Sequence, residues 1–225
     1  MKKFNHSVFM FLVCGMLIYP SFLTADNKDI ALVLKIKGTV GVKNPAKRGY
    51  VRVKRGNRLD DGETIKTGKN SLAALVFTDD KSQIKIRSNS SVTIRGKREK
   101  NGIVKRLSLS FGQIWANVTR QKTDMRIETP SGVATVKGTI FNCLFQDNNF
   151  FVFCQQGLLL VSNQFGTMRV GANQLVQLTQ TSGPQRLQVD PDSIFDLSEE
   201  EDGSELRIEF EDEQGNKKSL ILDFK

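Results

Sequence analysis

The strongest constraint on this chain is the spacing of its turn residues across residues 51–94, which cuts the segment into apolar runs too short for helices. Residues 72–77 are apolar on both faces, the pattern of a strand covered on both sides. Ile84 and Ile86 alternate with Lys85 and Arg87, and Val92 and Ile94 with Thr93 and Arg95, so these strands have one wet face. Asp61-Gly62, Gly68-Lys69-Asn70 and Ser88-Asn89-Ser90 lie between them, because glycine and asparagine accept the backbone angles of tight turns. The fold class this predicts is all-β, a stack of short strands and hairpins.

The same texture runs through most of the chain. Residues 30–42 read as a strand interrupted at Gly38, and glycine recurs before apolar runs at Gly112, Gly138 and Gly157, which suggests stacked hairpins. Residues 95–102 form the basic tip of a hairpin. Folding it about Asn101-Gly102 sets Ile94 opposite Leu109 and Val92 opposite Phe111. Trp115 is expected as an anchor in the core or between layers, with a place on a binding face as the alternative. From Pro184 the texture changes: residues 184–204 read as an acidic linker with one helical turn near Ile194 to Leu197, and residues 205–225 as a C-terminal β-hairpin turning at Gln214-Gly215-Asn216.

At the other end, Lys2 and Lys3, the apolar run 8–19 and the small residues Thr24-Ala25 have the order of a signal peptide covering residues 1–25. The expectation is therefore an exported protein, with a membrane anchor as the alternative if the segment is kept. The only histidine, His6, leaves with that segment, which removes imidazole from any catalytic or zinc site. No spacing points to another catalytic group, to a metal or to a cofactor, so an enzyme is not expected. The acidic stretch lacks the spacing of a calcium loop.

Two cysteines remain, Cys143 and Cys154. Counted outward from a turn at Asn148-Asn149 they face each other, and two arrangements fit: a cross-strand disulfide, which the spacing favours, or two buried free thiols.

Charge divides along the chain. Residues 26–126 hold 24 basic against 9 acidic side chains, and residues 127–225 hold 7 against 15. The basic arm Arg95, Lys97, Arg98, Lys100, Lys105 and Arg106 reads first as a solvated loop whose cations protect a strand edge, and second as the candidate contact for an anionic surface. Export and the absence of an aromatic-interleaved motif speak against nucleic acid. The partners expected are an envelope protein or an anionic cell-wall polymer, or else the chain's own acidic linker folded back on the basic half.

Gly38, Gly56, Gly62-Glu63, Thr67-Gly68, Gly112, Trp115, Thr129-Pro130, Gly138-Thr139 and Phe141, in this order and spacing, resemble the FecR domain family over residues 30–178. The resemblance implies a short, twisted β-solenoid-type domain without catalytic residues, in which Gly62, Gly68, Trp115, Pro130, Gly138, Thr139 and Phe141 have structural roles. It implies a periplasmic module that binds or scaffolds protein and senses a signal; a membrane-tethered relay and a polysaccharide-binding module are the alternatives. In the ferric-citrate regulator a separate cytoplasmic segment acts on a sigma factor. Seven residues before the apolar run are too few for such a segment, so anti-sigma activity is not expected here. Two positions depart from the family: Lys81 stands where glycine is usual, and Lys137 where arginine is usual.

Overall fold

The computed structural model describes residues 29–120 and 123–197, and the backbone of 205–211 and 217–223. Strands follow one another as β1 (Ala31–Lys37), β2 (Val40–Lys43), β3 (Val51–Arg52), β4 (Arg58–Leu59), β5 (Thr64–Thr67), β6 (Leu72–Phe77), β7 (Gln83–Ile86), β8 (Ser91–Glu99) and β9 (Gly102–Asn117). They continue as β10 (Met125–Thr129), β11 (Gly132–Val136), β12 (Ile140–Gln146), β13 (Asn149–Gln156), β14 (Leu158–Asn163), β15 (Gly166–Gly171), β16 (Gln174–Leu178), β17 (Gln185–Leu187), β18 (Glu205–Glu211) and β19 (Lys217–Asp223). The all-β expectation is met.

Two layers face each other. Layer A has the order β4-β1-β6-β7-β9-β12-β13-β16-β17. Layer B has the order β3-β2-β5-β8-β9-β10-β11-β14-β15. Strand β9 belongs to both, pairing with β8 and β10 through its first part and with β7 and β12 through its last. From β10 onward successive hairpins alternate between layers, β10–β11 and β14–β15 in B, β12–β13 and β16–β17 in A. Among the described residues all ladders are antiparallel except β9–β10.

Period-2 alternation assembles the core. Along the longer strands of the two layers alternate side chains point inward, and Leu59, Ile65, Phe77, Ile86, Ile94, Ile114, Phe141 and Phe150 are fully buried there. Burying side chains of this size contributes about 1.5–3 kcal/mol each before chain entropy is subtracted.

The recurring glycines mark where the chain changes layer. Positive φ is found at Gly38 between β1 and β2, Gly112 within β9, Gly138 between β11 and β12, and Gly157 between β13 and β14. Asn70, Asn89 and Asn173 serve other crossings in the same conformation. Gly112 is the sharpest case: a Cβ there would sit 2.2 Å from Ser90 Oγ and 2.5 Å from Ser90 Cα, so only glycine lets β9 bend across the gap. Gly138, read from sequence as a bulge or close approach, has φ +77° and would put a Cβ 2.9 Å from that of Arg120.

Several expectations need correction. Strand β6 is not covered on both sides: Ala73, Leu75 and Phe77 face the core, whereas Ala74 and Val76 are half-buried on the outer face of layer A. In the β8–β9 hairpin Glu99 pairs with Gly102, so Ile94 faces Leu107 and Val92 faces Leu109. The two-residue slide keeps the inward faces unchanged. A bulge between Ser91 and Val92 then turns Phe111 outward, where it is 41% exposed with Lys66 Nζ 5.7 Å from its ring centre.

Residues 184–197, expected within a linker, pack on the body. Strand β17 pairs with β16, and Asp190 caps a single 3-10 turn, Pro191–Ser193, by accepting a 3.0 Å hydrogen bond from the Asp192 N–H. Phe195 follows, buried against Phe153 and Leu175 on the outer face of layer A. It is pinned by Gln113, whose side-chain amide donates to the Asp196 carbonyl at 2.9 Å and accepts from the Asp196 N–H at 3.1 Å. The acidic run 199–202 lies outside the described residues. Strands β18 and β19 pair with Leu206 opposite Leu222 and Ile208 opposite Leu220; their expected turn at 214–216 and the segment 1–25 lie outside the described residues.

A candidate binding face and a buried ion cluster

Lys105 and Arg106 are adjacent in β9 and point in opposite directions. Lys105 faces inward and is fully buried, which removes it from the anionic-surface contact expected of the basic arm. Its Nζ donates to Asp79 Oδ2 at 2.8 Å, to Asp80 Oδ2 at 3.0 Å and to the Ile103 carbonyl at 3.3 Å, and stands 5.2 Å from the ring centre of Phe77. The two aspartates come from the turn between β6 and β7, so the cluster ties layer B to layer A. The Ile103 N–H donates to Asp79 Oδ2 at 2.7 Å, and Ser82 Oγ to Asp80 Oδ2 at 2.6 Å. Burial alone would raise the Asp79 carboxyl; the Lys105 and Ile103 hydrogen bonds and the Lys105 charge overcome it and hold Asp79 below its ordinary value. This cluster is structural, and its cation is consumed internally.

The outward residues of β8, β9 and β10 form the candidate site. Arg95 is opposite Arg106 across the antiparallel β8–β9 ladder, and Arg106 is beside Arg126 across the parallel β9–β10 ladder. Three exposed arginines therefore stand in one cross-strand row. The row continues through Thr135, Leu160 and Arg169. Arg126 and Arg169 were missed in the sequence: alternation around Met125 and Ile127 marks Arg126 as outward, but only the non-local β9–β10 pairing brings it beside Arg106.

At the hairpin tip Lys97 is exposed with Glu99 3.6 Å from its Nζ, Lys100 is exposed, and Arg98 donates from Nη2 to the Asp29 carbonyl at 3.0 Å. The tip is thus partly tied back to the body, and the free cations concentrate on the sheet face. Lys137 has its Nζ 3.9 Å from Asp124, both half exposed.

The other singled-out residues have structural positions. Gly62 has φ +81°, and Gly68 packs its backbone against Thr39. Pro130 lies in the β10–β11 turn, Thr139 Oγ1 donates to the Leu158 carbonyl at 2.9 Å, and Phe141 is fully buried. Trp115 is not in the core. It is half-buried on the outer face of layer A, donating from Nε1 to Gln155 Oε1 at 3.0 Å, with Lys85 Nζ 4.7 Å from its ring centre.

The disulfide expectation is overturned. The β12–β13 turn falls one residue earlier than expected, at Asp147 and Asn148 with φ 50° and 60°, so Cys143 faces Val152 and Cys154 faces Phe141. The cysteines are diagonal neighbours, and diagonal Cα separations of roughly 7–8 Å exceed what a disulfide spans. Both are buried free thiols; burial raises Cys143 well above the ordinary thiol range and Cys154 to about 11. Among the described residues no cluster of His, Cys, Asp and Glu side chains could hold a metal ion.

The molecule is thus a two-layer β domain whose exposed chemistry lies on sheet faces. Residues 63–159 match the family described as FecR protein, a segment that lies inside the stretch whose sequence resembles that family. Two solved structures of a candidate anti-sigma factor from Parabacteroides distasonis ATCC 8503 are also similar, at 16% and 17% identity and TM-scores of 0.48 and 0.47. In each case the alignment covers 55% of this chain and 58% of the other. No curated protein matches. Among the described residues no helix is long and apolar enough to cross a membrane.

Proposed function

We propose that this chain is an exported, non-catalytic FecR-domain module that binds a partner in the cell envelope as a scaffold or signal sensor. The observation that carries this reading is the exposed arginine row on β8, β9 and β10, which lies within the segment matching FecR and has no carboxylate in ion-pair contact among the described residues. A sheet face of this kind suits recognition of another macromolecule; it offers no concave site in which to enclose a small substrate. In this reading residues 1–25 direct export and are removed, placing the module in the periplasm. The apolar run 8–19 supports a second reading, a tethered relay, if the segment is retained.

Fractionation of cells, intact mass and site-specific photo-crosslinking from position 93, beside the row, test the proposal. A soluble envelope species beginning near Asp26 that crosslinks to one envelope component supports the module. An uncleaved membrane species supports the tethered relay, and an unprocessed cytoplasmic protein overturns both.

A further inference from the structure

We propose that the outer face of layer B is a docking site for an acidic segment of a partner protein that also carries apolar side chains, seated across the strands along Arg95, Arg106 and Arg126. This rests on the reading of the chain as a binding module and names the chemistry of what it binds. Neighbouring strands are about 4.8 Å apart, so the three guanidinium groups recur at nearly that interval. Like charges directly opposite one another destabilise a sheet. Here that repulsion is built in twice over, at Arg95–Arg106 and Arg106–Arg126. Among the described residues little offsets it: Glu128 is two residues along β10 opposite Ser108, and Asp124 is 3.9 Å from Lys137. An external run of carboxylates or phosphates would relieve it, and planar guanidinium forks bind either group in pairs of hydrogen bonds.

Three further observations decide the occupant. Beyond Thr135 the row meets Leu160, 38% exposed, with Leu158, 54% exposed, beside it on β14, before Arg169 closes it. A purely anionic polymer has nothing to lay over two leucines; a polypeptide with alternating acidic and apolar side chains does. Sheet twist of roughly 20–25° per strand carries the surface away from any flat bilayer, while a segment running across the strands stays in contact with the row. Leu197, the last described residue before the chain's own acidic run, packs against layer A, on the opposite side of the molecule from the row.

The test is fluorescence anisotropy with the purified protein and four probes: an alternating Glu-Leu peptide of about twelve residues, poly-glutamate of equal length, inorganic polyphosphate, and phosphatidylglycerol vesicles. The alternating peptide should bind most tightly and lose affinity as salt rises. Arg106→Glu should weaken it about tenfold, and the exposed control Arg55→Glu, away from the row, less than twofold. Leu160→Ser should weaken the peptide about threefold and leave polyphosphate unchanged. Equal losses in Arg106→Glu and Arg55→Glu, or no binding of the peptide at about 1 mM, would overturn the docking site. Tighter binding of polyphosphate or vesicles, indifferent to Leu160→Ser, would overturn the protein partner in favour of a phosphate-rich polymer or lipid. Recovery of the protein from the cytoplasm would remove the envelope reading and leave these affinities standing. Loss of row dependence would do the reverse.

Discussion

The space between the layers and the outer face of layer B both carry cations, and they use them in opposite ways. Inside, Lys105 is fully buried and held by two aspartates, a backbone carbonyl and an aromatic ring. Outside, one residue further along the same strand, Arg106 stands between two other arginines. Strand parity, not composition, assigns a basic residue to cohesion or to recognition. A count of positive charge in the basic half therefore overstates what is available to a partner.

The sharpest way to break this contrast is to delete each cation in turn. Lys105→Ala leaves two nearly buried carboxylates without a counterion and should cost about 3–5 kcal/mol in denaturant unfolding. Arg106→Ala should change stability by less than about 0.5 kcal/mol. Comparable losses from the two would dissolve the distinction.

The outer face of layer A supplies the covered counterpart to the open face of B. Phe195 lies over Phe153 at a ring-centre separation of 6.3 Å and is 3% exposed, in a satellite cluster smaller than the main core. Phe195→Ala should cost roughly 2–3 kcal/mol and raise protease sensitivity near residue 195, while leaving probe binding at the arginine row unchanged. A change in that binding would show that the two faces communicate.

Acid tests the inner cluster without a substitution. Asp79 is held below its ordinary value of 3.8, so the folded state takes up its proton less readily than the unfolded chain. The stability it contributes is complete above the unfolded value and is lost as pH falls through the lower folded value. Thermal melts between about pH 6 and about pH 2 should show this loss below about pH 4, and Asp79→Asn should flatten that part of the curve. The smallest effect is at Lys81, whose φ of +62° shows that the turn holds a left-handed residue with a side chain. Lys81→Gly should stabilise by about 0.5 kcal/mol, the relief of left-handed strain less glycine's entropy cost.

What could be read from the sequence was what depends on local pattern. Alternation at Ile84/Ile86 and Val92/Ile94 marked strands and their inward faces, and the glycines at 38, 112, 138 and 157 marked turning points before any layer was known. Register was less accessible, because it hangs on which residue enters the left-handed region. Asp147 does so in place of Asn149, and that shift separates the cysteines. The binding face was half legible. Arg95 and Arg106 share a hairpin, but Arg126 joins them through a parallel ladder whose partners no local pattern specifies. Lys105 looked like part of a basic surface because nothing nearby in sequence announces Asp79 and Asp80, which lie 26 and 25 residues away.

The alternation of hairpins between two layers gives the body the character of a filament segment. Layer A pairs β13 with β16 and layer B pairs β11 with β14, so neighbours in each layer are separated only by the hairpin placed in the other. Such an object is quasi-one-dimensional: order can spread from a middle unit toward both ends, and fraying begins where the strands are shortest. Those ends are β3 and β4 on one side and β17 in layer A on the other, of two, two and three residues. Cooperativity is thus centred on β9, the one strand that both layers share, and the arginine row is mounted beside the last part of the molecule to let go.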